Sequence, residues 1–372
     1  MSERVLITGG AGFIGSHLAD ELLRHGYTVR ALDALLPQVH GTEPHRPDYL
    51  DPDVELQVGD VRDPRAVARA LEGVDSVFHL AAAVGVGQSM YAIADYTSTN
   101  TLGTATLLEA LMTRGLRRLI VASSMSIYGE GLYLTRGGQI VEGEERGLQQ
   151  LRNGQWELKD EAGATMLPLP TPEDKRPALP SVYALSKYDQ ERLCLLYGRA
   201  YDLPTVALRF FNVFGTRQAL SNPYTGVLAI FISRLLNNNP PLIFEDGLQQ
   251  RDFVSVQDIA RACRLALETE KAEGQAINIG SGNNYTIRDV AHRCAEALGK
   301  GYVPPEVTGK YRVGDIRHCY ADTSLAQRLL GYKPQLLLED GLEELADWVE
   351  GQTPPDRVEQ AGAELAARGL TV

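Results

Sequence analysis

Tyr183 and Lys187 stand four residues apart in "PSVYALSKYDQERLCLLYGRA". In a helix that spacing puts both side chains on one face. A free tyrosine titrates at about pH 10. A neighbouring cation favours the phenolate and brings that value down, and such a tyrosine can take a proton from an alcohol at neutral pH. The second candidate stretch is "SSMSIYG", Ser123 to Gly129, which follows the apolar run "RLIVA" directly. It offers the hydroxyls of Ser123, Ser124 and Ser126 and no carboxylate. Hydroxyls of this kind orient an alcohol; they supply no strong acid or base of their own.

The elements that must position these groups are legible. Pro180 and Ser181 open the tyrosine helix, with Ser181 as its N-cap. "RVLITG", "YTVRALD", "VELQVGD", "SVFHLAA" and "RRLIVASS" are apolar strands separated by helical patterns such as "IGSHLADELLRHG" and "TLGTATLLEALMTRG", and "TVALRFFNVFG" reads as a later strand. This alternation predicts a parallel sheet with helices on both faces. At the first strand–helix junction lies "TGGAGFIGSHL". Gly9, Gly12 and Gly15 permit a tight turn, a close approach to a pyrophosphate and close helix–strand packing. The helix N-terminus offers free N–H groups to the phosphates. Asp33 ends the next strand, where an acid accepts from ribose hydroxyls and repels a 2′-phosphate. The pattern therefore predicts NAD rather than NADP, and its positive ring would add to the pull on Tyr183.

Composition sets the outer limits. The 372 residues carry a formal charge of −12, which argues against a nucleic-acid partner, since that surface must be basic. Four cysteines, Cys194, Cys263, Cys294 and Cys319, form no CxxC pair and read as reduced thiols. No signal-peptide pattern opens the chain, and no run of 18 apolar residues occurs. The expectation is a cytoplasmic protein that meets no membrane.

With "TGGAGFIG", Asp33, "GDVRD", "HLAA", "SSMSIYG", "YALSK", "RFFNVFG" and "QQRDFVSVQDIA" on the page, the chain resembles the extended short-chain dehydrogenase/reductase family that acts on nucleotide sugars. Within it, the dTDP-L-rhamnose and UDP-sugar 4-epimerases are most similar. The resemblance covers residues 1 to about 350. It implies an α/β fold, a Rossmann-type doubly wound parallel sheet with a smaller mixed α/β substrate-binding lobe. It implies that Ser124, Tyr183 and Lys187 are catalytic. The cofactor-binding set it implies is Gly9, Gly12, Phe13, Ile14, Gly15, Asp33, Asp60, Val61, Leu80, Ala81, Ala82, Asn100, Ser123, Tyr183 and Lys187. On the substrate side stand Ser124, Ser126, Asn212, Arg251, Arg312 and Arg317, the arginines for the diphosphate, since a planar fork pairs two oxygens. "NPYTGVLAIFISRLLNN" would cap the base, and His79 would pack in the core. A homodimer through "TLGTATLLEALMTRG" and the Tyr183 helix is implied as well.

Relatives divide by the residues after the strand-end serine. By the same resemblance, 4,6-dehydratases hold an Asp-Glu pair where Met125 and Ser126 stand here, and UDP-glucuronate decarboxylases hold a glutamate at the second position. The epimerase/reductases place a cysteine near this strand end, and no cysteine precedes Cys194. What remains is the toolkit of a nucleotide-sugar 4-epimerase, which oxidises C4 transiently to a ketone. The alternatives are a 4-ketoreductase, a 4,6-dehydratase, a decarboxylase and, remotely, a non-catalytic NAD-binding regulator.

The expected organisation is a cofactor domain over 1–210 with an insert at about 130–179, then a substrate lobe over 211–350 with segments near 250–280 returning to the sheet, then a tail helix over 351–372 with Val358, Ala361 and Leu365 on one face. The insert is too long for a plain connection. In the similar subgroup a comparable insert often carries cysteine pairs suited to zinc. This one has none, so no metal is expected.

Overall fold

The computed structural model describes residues 2–41, 45–224, 226–312, 314–352 and 354–371. Thr225 and Val313, inside two segments assigned above to the substrate side, lie outside the described residues.

Seven strands form the central sheet: β1 (Arg4–Thr8), β2 (Thr28–Asp33), β3 (Glu55–Val58), β4 (Ser76–His79), β5 (Arg118–Ser124), β6 (Thr205–Phe210) and β7 (Ala276–Ile279). Their order is β7-β6-β5-β4-β1-β2-β3, and every neighbouring pair is parallel. The alternation of apolar strands with helical patterns thus gives the doubly wound sheet it predicts. Both faces are covered, so successive side chains of one strand enter different cores. Val5 and Ile7 pack with Leu18, Leu22 and Phe78; Leu6 between them packs with Val67, Val77 and Leu107.

The chain departs from β1 in opposite directions, to β2 on one side and to β4 on the other. Ligands of open α/β sheets bind in the crevice at the carboxyl ends beside such a switch. The glycine loop, Asp33, Leu80–Ala82 and Ser124 all sit at those ends. Glycine is required at two positions of the loop. Gly9 has φ +72°, and a Cβ on Gly15 would lie 2.2 Å from the Gly9 carbonyl oxygen.

A second core holds Phe231, Val290 and Leu345 from the helices Val227–Leu236, Ile287–Ala297 and Leu338–Val349. The stretch 130–179 is not structureless. Leu132–Leu134 pairs antiparallel with both Ile140–Glu142 and Leu167–Leu169, and Tyr133 is buried on Leu158 and Met166. The tail forms a helix, Val358–Ala367, with Ala361 and Leu365 buried. All four cysteines are free and buried. Among the described residues, no helix is long and apolar enough to cross a membrane.

Candidate active site

Tyr183 and Lys187 lie on the Val182–Tyr201 helix, which Ser181 caps through its hydroxyl to the Ala184 N–H. Tyr183 is half-buried. Burial pushes its phenol above the ordinary value, and a hydrogen bond with Ser124 pulls the other way. Lys187 does not contribute to that balance. Its Nζ donates to Gln190 Oε1 at 2.7 Å, and burial lowers its pKa to about 7, against the pull of Cys194 and Glu191. The expectation is that the ammonium and the positive nicotinamide ring together lower the phenol, and the ammonium's part of that pull is not seen here. In the protein by itself, desolvation wins.

Gln190 is the residue that sequence reading missed. It is fully buried, and its amide nitrogen, Nε2, meets the Ala81 carbonyl at 3.2 Å, Thr104 Oγ1 at 3.0 Å and His79 Nε2 at 3.1 Å. That fixes the amide, and the amide fixes Lys187. Its spacing of three from Lys187 on one helix face was the available signal. His79 is a core residue as expected, bonded to Thr8 Oγ1 and Thr104 Oγ1 at 2.8 Å each.

Ser124 ends β5 and caps the short turn Met125–Tyr128. Its hydroxyl meets that of Ser126 at 2.8 Å. Ser123 is different. Neighbouring strand residues face opposite ways, and its hydroxyl donates to Glu191 Oε2 at 2.7 Å, beneath the Tyr183 helix. Its side chain is thus removed from the expected cofactor set. Glu191 also holds Arg209 at 2.7 and 2.9 Å, and Arg209 reaches Tyr128 Oη at 2.7 Å. Tyr128 donates to Asn278 on β7 at 2.7 Å, and Asn278 bonds Glu173 and Thr171 of the insert. Asn100 is likewise engaged with protein. It accepts from Ala83 N at 2.7 Å and donates to the Ala83 carbonyl and to Ser186 Oγ. It clamps the loop after β4 to the Tyr183 helix.

The residues at the glycine loop fit NAD. The helix Phe13–Arg24 has no side-chain cap, so its first-turn N–H groups are open to an anion. A Cβ on Gly12 would meet protein only at 3.4 Å, the Gly9 carbonyl, so packing within the protein does not demand that glycine. Asp33 accepts from Ala11 N at 3.0 Å and Leu35 N at 2.9 Å, and each oxygen keeps a lone pair for a ribose hydroxyl. Phe13 and Ile14 occupy the first turn of that helix, and Leu80, Ala81 and Ala82 are half-buried along the groove. Asp60 is paired with Arg62 at 2.6 Å, which holds its carboxyl below the ordinary range. Val61 packs in the core.

The three arginines separate. Arg317 is fully buried. Its guanidinium meets Glu157, Glu245 Oε2 at 2.9 Å and Asp246 at 2.7 and 3.0 Å. Every nitrogen is saturated by carboxylate, so the expected diphosphate role is withdrawn. Arg251 donates to the carbonyls of Gln250, Ile316 and Arg317. Arg312 stacks 4.3 Å from the Phe244 ring centroid, and its buried Nε has no partner. Asn212 donates to the Asp252 carbonyl at 3.0 Å.

The burial of Lys187 makes a pH prediction. The folded group releases its proton near 7, the unfolded one near the ordinary 10.5. Above pH 7 the unfolded chain binds more protons, so stability rises with pH. Above the ordinary thiol value of 9, the four buried cysteines, held above that range by burial, reverse the trend. The thermal midpoint of nucleotide-free protein is expected to climb between about pH 7 and pH 8.5, and Lys187→Met is expected to flatten that climb. Differential scanning calorimetry across this window reads both.

Comparison with known proteins agrees with the geometry. The family model described as the NAD dependent epimerase/dehydratase family matches residues 5–145 and 163–280. The chain is 37% identical over 352 residues to dTDP-L-rhamnose 4-epimerase of Burkholderia thailandensis, covering 93% of this chain and 95% of that protein. The solved UDP-glucose 4-epimerase of Thermotoga maritima with UDP-glucose superposes with a TM-score of 0.76 at 30% identity, covering 93% of this chain and 98% of that one. UDP-glucuronic acid 4-epimerase of Bacillus cereus, in complex with UDP-glucuronic acid and NAD, gives 0.73 at 30% identity, with 93% and 99% covered. The family model covers more than half of the chain and the Burkholderia relative aligns over 93% of it, and the chain belongs to the NAD-dependent epimerase/dehydratase family.

Proposed function

We propose that the protein is a nucleotide-sugar 4-epimerase that inverts C4 of a dTDP- or UDP-hexose. The observation that carries this reading is Ser124 at the end of β5, the strand against which the Tyr183 helix packs, followed by Met125 and Ser126 rather than by an acid. Bound NAD supplies a hydride acceptor that can return what it takes. Tyr183 Oη, as phenolate, removes the proton of the C4 hydroxyl, and Ser124 Oγ holds that oxygen. Lys187, fixed by Gln190, lies one helical turn from Tyr183; when it holds its proton it would favour the phenolate, as would the positive ring of bound NAD. Arg312 holds the diphosphate, with Arg251 and Asn212 shaping the wall beside it, so the keto sugar stays tethered while it turns. Tyr183 then gives the proton back. Without a carboxylate at 125 or 126, nothing in the pair drives loss of water or of carbon dioxide.

The test is incubation of purified protein with candidate dTDP- and UDP-hexoses and no added cofactor. The C4 epimer is expected by NMR. Turnover only with stoichiometric NADH or NADPH would instead establish a 4-ketoreductase, and a 6-deoxy-4-keto product a dehydratase.

On this reading the enzyme works in the cytoplasm, in carbohydrate biosynthesis, as a homodimer. The two helices expected at the dimer interface leave Leu102, Met112, Leu185 and Leu196 exposed at or beside their surfaces, which suits burial against a second copy.

A further inference from the structure

The last segment of the chain is fastened at three places in different parts of the fold. At its start, Asp356 accepts from Arg234 Nη1 at 3.2 Å and Asn239 Nδ2 at 2.8 Å, on the substrate lobe. In its middle, buried Leu365 lies against Gly87 in the short helix Val86–Ser89 that follows β4, where an added Cβ would be 3.3 Å from Leu365 Cδ1. Beside it, Glu364 Oε2 accepts from Tyr224 Oη at 2.8 Å and Tyr91 Oη at 3.3 Å, and Arg368 stacks 4.3 Å from the Tyr91 ring centroid. At its end, Thr371 forms an antiparallel bridge with Arg312.

That bridge carries a second observation. Thr371 Oγ1 and Arg312 Nε are both buried, and neither has a hydrogen-bond partner. An unmet hydroxyl and an unmet N–H at one bridge are costly to leave so. Two donors side by side suit an acceptor-only ligand, and a phosphate is the strongest of that kind. The segment also joins what the ligand must lie between: one end is anchored to the lobe, the middle to the cofactor domain.

We propose that residues 356–371 form a wall of the nucleotide-sugar site, with the Thr371 hydroxyl joining Arg312 on the diphosphate. The proposal rests on the nucleotide-sugar reading above. With the segment docked, the nucleotide is held from a side that the sheet and the lobe leave open. Undocking at Leu365 and Glu364 lets it exchange.

The experiment uses the full-length NAD-bound protein with dTDP and UDP as probes. Calorimetric titration is expected to show tighter binding to the unaltered protein than to Thr371→Val by about tenfold, the size of one hydrogen bond to a charged group. Leu365→Asp is expected to weaken binding at least as much, with bound NAD retained in both variants. In the unaltered protein, either nucleotide is expected to slow amide exchange across 358–367. Equal affinity in all three proteins, or no slowing of exchange, overturns the wall while leaving the enzyme reading intact. Failure of both nucleotides to bind the unaltered protein overturns both.

Discussion

Tyr183→Phe is expected to lower turnover by about 10² to 10⁴, the range that one positioned proton-transfer group contributes. The substitution removes only the phenolic oxygen. The ring's edge-on contact with Tyr96, centroids 6.4 Å apart, is kept, so the helix and the NAD content should not change. Ser124 keeps its bond to Ser126. Steady-state rates with the best nucleotide sugar, alongside NAD quantified from denatured protein, give the measurement. Turnover within a factor of about two of the starting enzyme would remove Tyr183 from the chemistry, since general acid–base loss is far larger.

Arg317→Met is expected to cost stability rather than substrate binding. The arginine sits among Glu157, Glu245 and Asp246, while Glu130 accepts from its backbone N–H at 2.6 Å and from Tyr133 Oη at 2.6 Å. Removing the guanidinium strands the buried carboxylate of Glu245 and leaves the half-buried ones of Glu157 and Asp246 to solvent; breaking a fully buried pair typically costs about 3–5 kcal/mol. Arg146 still meets Glu245 at 2.9 Å, so part of the charge stays compensated. The expected result is a thermal midpoint lower by several degrees, read by calorimetry at low and moderate salt. Arg312→Met is expected to do the opposite, raising KM for the nucleotide sugar with little change in midpoint. A raised KM for Arg317→Met with an unchanged midpoint would restore it to the diphosphate.

This contrast shows what a sequence can say about charge. Arg251, Arg312 and Arg317 look alike in one dimension. Their fates depend on partners brought in from Glu130, Glu157 and Glu245, which lie far away along the chain and near in the fold. The glycine loop was legible because its whole argument is local: strand, turn, helix, then an acid one strand later. The Tyr183–Lys187 pair was legible because helical spacing is local too. Ser123 was a missed inference of the same local kind, for alternation along β5 means that adjacent serines cannot both face the groove. Gln190 was harder. An amide announces no chemistry until its partners, Ala81 and Thr104, are seen to come from elsewhere.

The charged cluster around Arg317 also bears on re-engineering. Residues 130–179 are the natural piece to transplant between sister enzymes in the hope of changing sugar preference. Yet Arg146 pairs across the border with Glu245, and Glu157 with Arg317 and His318, while Glu130 accepts from the backbone N–H groups of Arg317 and His318. A chimaera carrying the donor's stretch alone would inherit half of each ion pair. The unit of exchange is therefore the stretch together with positions 245, 246, 317 and 318, or a version in which the whole cluster is replaced by apolar side chains of matching volume.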